Sequence, residues 1–172
     1  MKIAILGYSG SGKSTLARII SEKYSIDVLH FDTVQFLPNW EIRSFDDKER
    51  ITKEFLDSHS DWVIDGNYTK LFYERRLEEA DKIILLLFNR FSCLWRAYKR
   101  FQKYKNKTRP DMAEGCNEKL DREFIKWILF DSRTRRAKER YSRIIMQYGN
   151  KVIIINNQKQ LKKFIQSINS FT

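Results

Sequence analysis

Directly after the apolar run Lys2–Leu6 stands Gly7-Tyr8-Ser9-Gly10-Ser11-Gly12-Lys13-Ser14-Thr15, and no other feature constrains this chain as strongly. The segment fits the pattern G-x-x-x-x-G-K-[S/T], in which a strand turns sharply and continues as a helix. Glycines supply the backbone freedom for that turn, so that successive N–H groups converge on phosphate oxygens. The helix that follows adds its positive N-terminal end. Lys13 is placed to reach β- and γ-phosphates, and the Ser14 hydroxyl suits Mg²⁺. Gly7, Ser9, Gly10, Ser11, Gly12, Lys13, Ser14 and Thr15 are therefore the candidate ATP-binding set. A glycine-rich turn without ligand is the bland alternative, and the strand-before, helix-after context argues against it.

The rest of the chain repeats that strand–helix rhythm. Lys2–Leu6, Asp27–Phe31, Trp62–Asp65, Lys82–Phe88 and Val152–Asn156 are short and rich in Ile, Val and Leu, as strands buried on both faces of a parallel sheet are. Between them, Leu16, Ile19, Ile20 and Tyr24 recur at helical spacing, as do Leu161, Phe164, Ile165 and Ile168 near the end. Phe45–Ser58 opens on Ser44 and Asp47 in a capping-box-like arrangement, and Tyr68–Glu79 precedes the fourth strand. This alternation predicts a three-layer α/β fold with a five-stranded parallel sheet and right-handed crossovers. Residues 1–172 read as one domain, without a repeat or a Pro/Gly linker.

Residues 90–148 interrupt the rhythm with nearly sixty positions and no good strand, and read as a helical insertion between the fourth and fifth strands. Phe91, Leu94, Trp95, Tyr98 and Phe101 form a stripe at helical spacing that predicts packing, with Arg96, Arg100 and Lys103 on the opposite face. Asn106–Asn117 reads as a loop, followed by helices over Glu118–Phe130 and Ser132–Tyr148.

Charge follows the same division. The 172 residues carry 33 Lys+Arg and 22 Asp+Glu, a net of +11. Residues 1–89 hold 12 basic and 15 acidic side chains, whereas residues 90–143 hold 17 and 7, a net of +10. So local an excess implies an anionic partner: nucleic acid, a membrane surface or phosphates on a small molecule. The longest aliphatic-aromatic run, Ile83–Phe88, is too short to span a membrane, and Met1–Leu6 is too short for a secretory signal. Cys93 and Cys116 provide no disulfide framework or zinc set, and His30 and His59 have no companion ligands at metal-site spacing. A cytoplasmic location without membrane contact is expected, and nothing in the sequence sets the oligomeric state.

Two carboxylates end strands. Asp32 follows the second and Asp65 closes the third, and in open α/β sheets ligands sit at the carboxyl ends of the strands. Asp65 suits a water-mediated position on Mg²⁺. Asp32 suits an acceptor hydroxyl, as hydrogen-bond partner or general base. For each, a cap on the next helix or turn is the alternative.

These residues together resemble the adenylate-kinase-like branch of phosphate-loop NTPases. Leu29-His30-Phe31-Asp32 with Pro38 and Trp40, then Ile64-Asp65-Gly66-Asn67-Tyr68, then Thr108–Cys116 resemble more closely bacterial proteins named DNA topology modulation proteins. The resemblance implies a kinase-like fold with a helical lid. Counting from Asn89 as in adenylate kinases, Arg96 and Arg100 fall at the lid positions that contact the transferring phosphates, with later lid arginines among Arg133, Arg135, Arg136 and Arg140. Of these, Arg133 and Arg136 are the candidates for ATP. The sequence departs from adenylate kinases after Gly66, where Asn67-Tyr68-Thr69 replaces an aromatic, Pro and the acceptor-binding Arg; Arg75 and Arg76 lie further along. The acceptor is thus open between a nucleotide and another hydroxyl compound.

The leading expectation is Mg-dependent phosphoryl transfer from ATP to a small acceptor, with Lys13, Asp32, Arg96 and Arg100 at the reacting groups. A nucleotide-dependent DNA-binding protein is the alternative. It is disfavoured because Trp95 and Tyr98 share a face with Leu94 and read as core.

Overall fold

In the computed structural model, which describes residues 1–105 and 107–170, the five aliphatic runs pair in one wholly parallel sheet. The strands are β1 (Lys2–Gly7), β2 (Asp27–His30), β3 (Trp62–Asp65), β4 (Lys82–Leu86) and β5 (Val152–Ile155), in the order β2-β3-β1-β4-β5. Ile3–Leu6, Trp62–Asp65 and Ile83–Leu86 are buried residue after residue, as strands are when helices cover both faces of a sheet. The helices are α1 (Lys13–Tyr24), α2 (Phe31–Gln35), α3 (Phe45–Ser58), α4 (Tyr73–Glu79), α5 (Arg90–Tyr104), α6 (Arg122–Leu129), α7 (Arg135–Tyr148) and α8 (Gln158–Ser170).

Caps explain several boundaries. The Ser44 hydroxyl accepts from Asp47 N–H and starts α3. Asp121 accepts from Phe124 N–H at 2.8 Å and starts α6 later than Glu118. Thr134 caps α7, so the expected helix from Ser132 begins instead as a short 3₁₀ turn over Asp131–Arg133. Phe31 belongs to α2 rather than to β2, which puts Asp32 in the first turn of a short helix. Residues Tyr68–Phe72 form a turn, and α4 begins only at Tyr73. Asn106, the first residue of the expected loop, lies outside the described residues, as do 171 and 172.

Helix α5 corrects the sequence reading. Phe91, Trp95 and Tyr98 are 72%, 57% and 41% exposed, so these three of the five stripe residues face solvent, whereas Leu94 packs against the core and Phe101 is half-buried. The helix instead buries Cys93 and Ala97 and directs Arg96 and Arg100 inward to line a cleft. The reason is proximity: a Cβ on Gly10 would lie 2.5 Å from the Cys93 carbonyl oxygen. Only small side chains fit where α5 passes this close to the glycine-rich loop.

Candidate active site

Parallel register brings the chemistry to one edge of the sheet. Gly7 sits beside Leu86, Ile5 beside Asp65, and His30 beside Asp65, so the turn after β1 and the ends of β2 and β3 share a level. There a cleft of about 1020 Å³ opens, lined at one end by Gly10, Gly12, Lys13 and Ser14. Asp32, Phe36, Trp40 and Tyr68 line its other end, and Arg96, Arg100 and Arg109 also face it.

The glycine-rich loop is built close. Gly10 and Gly12 take φ of 76° and 95°, and a Cβ on Gly12 would fall 2.2 Å from the Arg96 guanidinium. No side chain caps α1, and its first turn holds no acidic residue. Its free N–H groups therefore face the cleft without an internal partner. The Ser11 hydroxyl is buried with no hydrogen-bond partner among the described residues. Lys13 donates to the Tyr8 carbonyl at 3.1 Å, and burial lowers its pKa although Asp65 and Asp32 oppose that shift. An uncapped helix end and a desolvated ammonium together fit the phosphates of a nucleotide, whereas Gly7 and the fully buried Ser11 do not line the cleft.

Ser14 and Asp65 meet: the hydroxyl donates to Asp65 Oδ2 at 2.8 Å. This pairing of a hydroxyl with a carboxylate beside the phosphate cradle fits Mg²⁺. The other oxygen, Asp65 Oδ1, lies within hydrogen-bond distance of His30 Nδ1. Burial works against a charged His30, but the hydrogen bond and charge of Asp65 outweigh it and raise the pKa. Asp32 accepts from the Tyr68 hydroxyl at 2.8 Å, and burial together with that carboxylate pushes the Tyr68 pKa up.

The arginines separate into distinct places. Arg96 donates from Nε to the Gly10 carbonyl at 3.3 Å and packs over the Phe88 ring. Arg100 lines the cleft but is held by Glu118, with Nη2 at 2.8 Å. Arg133 stacks over Tyr8 at 3.8 Å and donates to Cys93 Sγ, reaching the phosphate loop from behind rather than through the cleft. Arg136 is exposed on α7, and Arg135 pairs with Glu139; neither lines the cleft. Arg140 lies against the Tyr141 ring. Arg75 pairs with Asp57 and Glu79 at the surface. Arg76 is 1% exposed and donates to the carbonyls of Gly66, Tyr68 and Leu71, so it shapes the loop after β3 from inside. Ser9 accepts from Trp127 Nε1 on α6 at 2.9 Å, and Thr15 is exposed at the cleft edge.

No family model matches the sequence, and no curated protein matches it. Among solved structures, the chain is similar to deoxyadenosine kinase from M. mycoides with products dCMP and dCDP, at a TM-score of 0.55 and 16% identity over 100% of both chains. It is also similar to shikimate kinase from Bacteroides thetaiotaomicron, at 0.52 and 16%, covering 99% of this chain and 96% of that one. A Thermus thermophilus protein aligns at 0.57 and 13%, over 100% and 98%. The five-stranded parallel α/β fold is the one found in these two kinases. At these identities the likeness is one of architecture.

Several contacts around the cleft gave no signal of their own in the sequence. Asn67 accepts from Gly7 N–H at 3.2 Å and donates to the Gly7 carbonyl at 3.0 Å, pinning the start of the phosphate loop to the end of β3. Cys116 donates to the Leu37 carbonyl and accepts from Trp40 N–H, docking the 109–118 segment on residues 37–40. Glu118 gathers two arginines that lie nine and eighteen positions earlier. The clue that existed was the Asp-Gly-Asn sequence after β3.

The His30–Asp65 pair predicts a pH dependence. Because the folded-state pKa of His30 is raised, its contribution to stability is full below the ordinary histidine value of about 6.5 and is lost as pH rises through the raised value. In metal-free buffer, the urea midpoint should fall over that rise, and His30→Asn should flatten this part of the profile. An equal fall in the variant would contradict the pairing.

Proposed function

We propose that the chain transfers the γ-phosphoryl group of Mg-ATP to a small hydroxyl-bearing acceptor. The reading is carried by one observation: Ser9, Gly10 and Gly12–Thr15 of the glycine-rich loop and a carboxylate at Asp32 line the same cleft, in a fold shared with two kinases. Backbone N–H groups of the loop and Lys13 hold the phosphates, and Arg96 lies against Gly10 and Gly12 where charge builds up. Ser14 and Asp65, the latter through water, would hold Mg²⁺, which when bound neutralises phosphate charge. Asp32 accepts the proton of the acceptor hydroxyl as its oxygen bonds to the γ-phosphorus and the bond to the β-phosphate oxygen breaks. Arg100 is the second arginine on the transferring group, and it reaches that group by leaving Glu118. Arg133 supports ATP through the loop it backs, and Arg136 swings in only if α7 moves. The α5–α7 insertion acts as a lid that excludes water, since an open site would spend ATP on hydrolysis. A cytoplasmic location goes with ATP and Mg²⁺ as cofactors; among the described residues no helix is long and apolar enough to cross a membrane.

The exposed face of α5 favours a second reading, a nucleotide-dependent DNA-binding protein related to the DNA topology modulation proteins. Trp95 and Tyr98 stack on each other in solvent, Lys99 lies over Trp95, and Arg90 lies over Phe130. Aromatic platforms beside cations suit single strands.

Lys13→Ala should lower turnover by about 10²–10³, the cost of removing one preorganised charge stabiliser. ADP release with Mg-ATP over nucleosides, nucleotides, sugars and small hydroxy acids measures it, and unchanged turnover would contradict the reading. For the second reading, DNA affinity should fall with salt by several ions on a log–log plot and respond to ATP. Affinity that vanishes at physiological salt would leave the basic face to the lid.

A further inference from the structure

The two ends of the cleft differ in how their positive charge is balanced. At the phosphate-loop end, Lys13 and Arg96 have no carboxylate within ion-pair distance among the described residues; their partners are carbonyls, Gln158 and the Phe88 ring. Asp65 and Asp32 act on Lys13 only from beyond that distance. At the far end, two arginines are already spoken for. Arg100 reaches Glu118 Oε1 with Nε at 2.9 Å and Nη2 at 2.8 Å. Arg109 lies with Nε 2.6 Å from Glu118 Oε2 and donates from Nη1 to Asp111 Oδ2 at 2.6 Å.

This network is part of the fold. The Glu118 side chain is 4% exposed and that of Arg109 is 8%. Glu118 N–H donates to the Lys107 carbonyl, and Gly115, at a φ of 73°, packs on Asn39. Two arginines and two carboxylates sum to zero charge. The other cations that line the cleft, Arg18, Lys99, Lys103 and Lys119, are all exposed; Arg18 pairs with Glu22, Lys99 lies over the Trp95 ring, and Lys119 sits over the Trp40 ring and 3.7 Å from Asp121. Asp32 adds a negative group, and Phe36, Trp40 and Met112 supply apolar wall.

Resting on the phosphotransfer reading, we infer that the acceptor carries no phosphate or carboxylate of its own: it is an uncharged hydroxyl compound. With Arg100 on the γ-phosphate, an anionic acceptor that paired with Arg109 would leave the buried Glu118 carboxylate with neither arginine. Separating a buried pair in that way is strongly unfavourable. Arg100 alone can leave for the γ-phosphate, because Arg109 remains on Glu118.

The test is a titration of AMP and of ribose 5-phosphate, beside adenosine and ribose, into protein saturated with a non-hydrolysable ATP analogue. Wild-type protein should bind neither phosphomonoester more tightly than its parent. Glu118→Gln, which releases both arginines at nearly constant shape, should bind the two phosphomonoesters at least roughly tenfold more tightly than wild type, the low end of what close charge pairs are worth. Asp111→Asn, which frees one arm of Arg109 from a less buried partner, should move in the same direction and guards against misfolding of the first variant. Phosphomonoester binding by wild type tenfold tighter than the parent, or unchanged affinity in both variants, would overturn the inference. Failure of the ATP analogue itself to bind would instead count against the nucleotide reading, so the two failures are distinct.

Discussion

The first turn of α1 presents its backbone N–H groups to the cleft with no side-chain cap, and the architecture around it keeps that end open and positive. Gly10 and Gly12 sit at positive φ so that the loop can curl, and Gly12 touches Arg96 where a larger residue would collide. Asn67 pins the loop's first residue to the end of β3 by two hydrogen bonds. The parallel register then sets Asp65 at the same height, where Ser14 meets it. A helix end in this condition is stabilised by an anion, the place that the proposed function gives to the phosphates of ATP.

What was legible in the sequence was local. Period-free aliphatic runs marked all five strands, and the spacing of glycines, Lys13 and Ser14 marked the loop, because strand burial and turn chemistry are set by neighbours in the chain. The orientation of α5 was not legible. Hydrophobic periodicity assigns the aromatic face to the core, yet close approach to Gly10 brings Cys93 and Ala97 inward, and Phe91, Trp95 and Tyr98 are left outside. Ion pairs were hidden for a similar reason: Arg100, Arg109 and Glu118 converge only through the docking of Cys116 and Gly115 on residues 37–40. His30 likewise carries no local mark of its contact with Asp65, which arises from pairing between strands thirty-five residues apart.

The excess of positive charge resolves into three populations. Lys13 and Arg96 lie at the glycine-rich loop with no carboxylate at ion-pair distance among the described residues, Arg100 and Arg109 are paired to carboxylates within the cleft, and Arg135, Arg136 and other exposed cations remain outside it. The net of +10 across residues 90–143 is therefore not one binding surface. On the proposed function, its inner part meets the triphosphate and leaves an uncharged acceptor its place, while its outer part includes cations paired at the surface, as Arg135 is with Glu139.

The central claim is transfer of a phosphoryl group to an organic acceptor, and following the γ-phosphorus of labelled ATP tests it most directly. With Mg²⁺ and the acceptor panel, the label should leave ATP and appear in an organic phosphate ester. Label that emerges only as inorganic phosphate, at a rate no acceptor changes, would contradict the account.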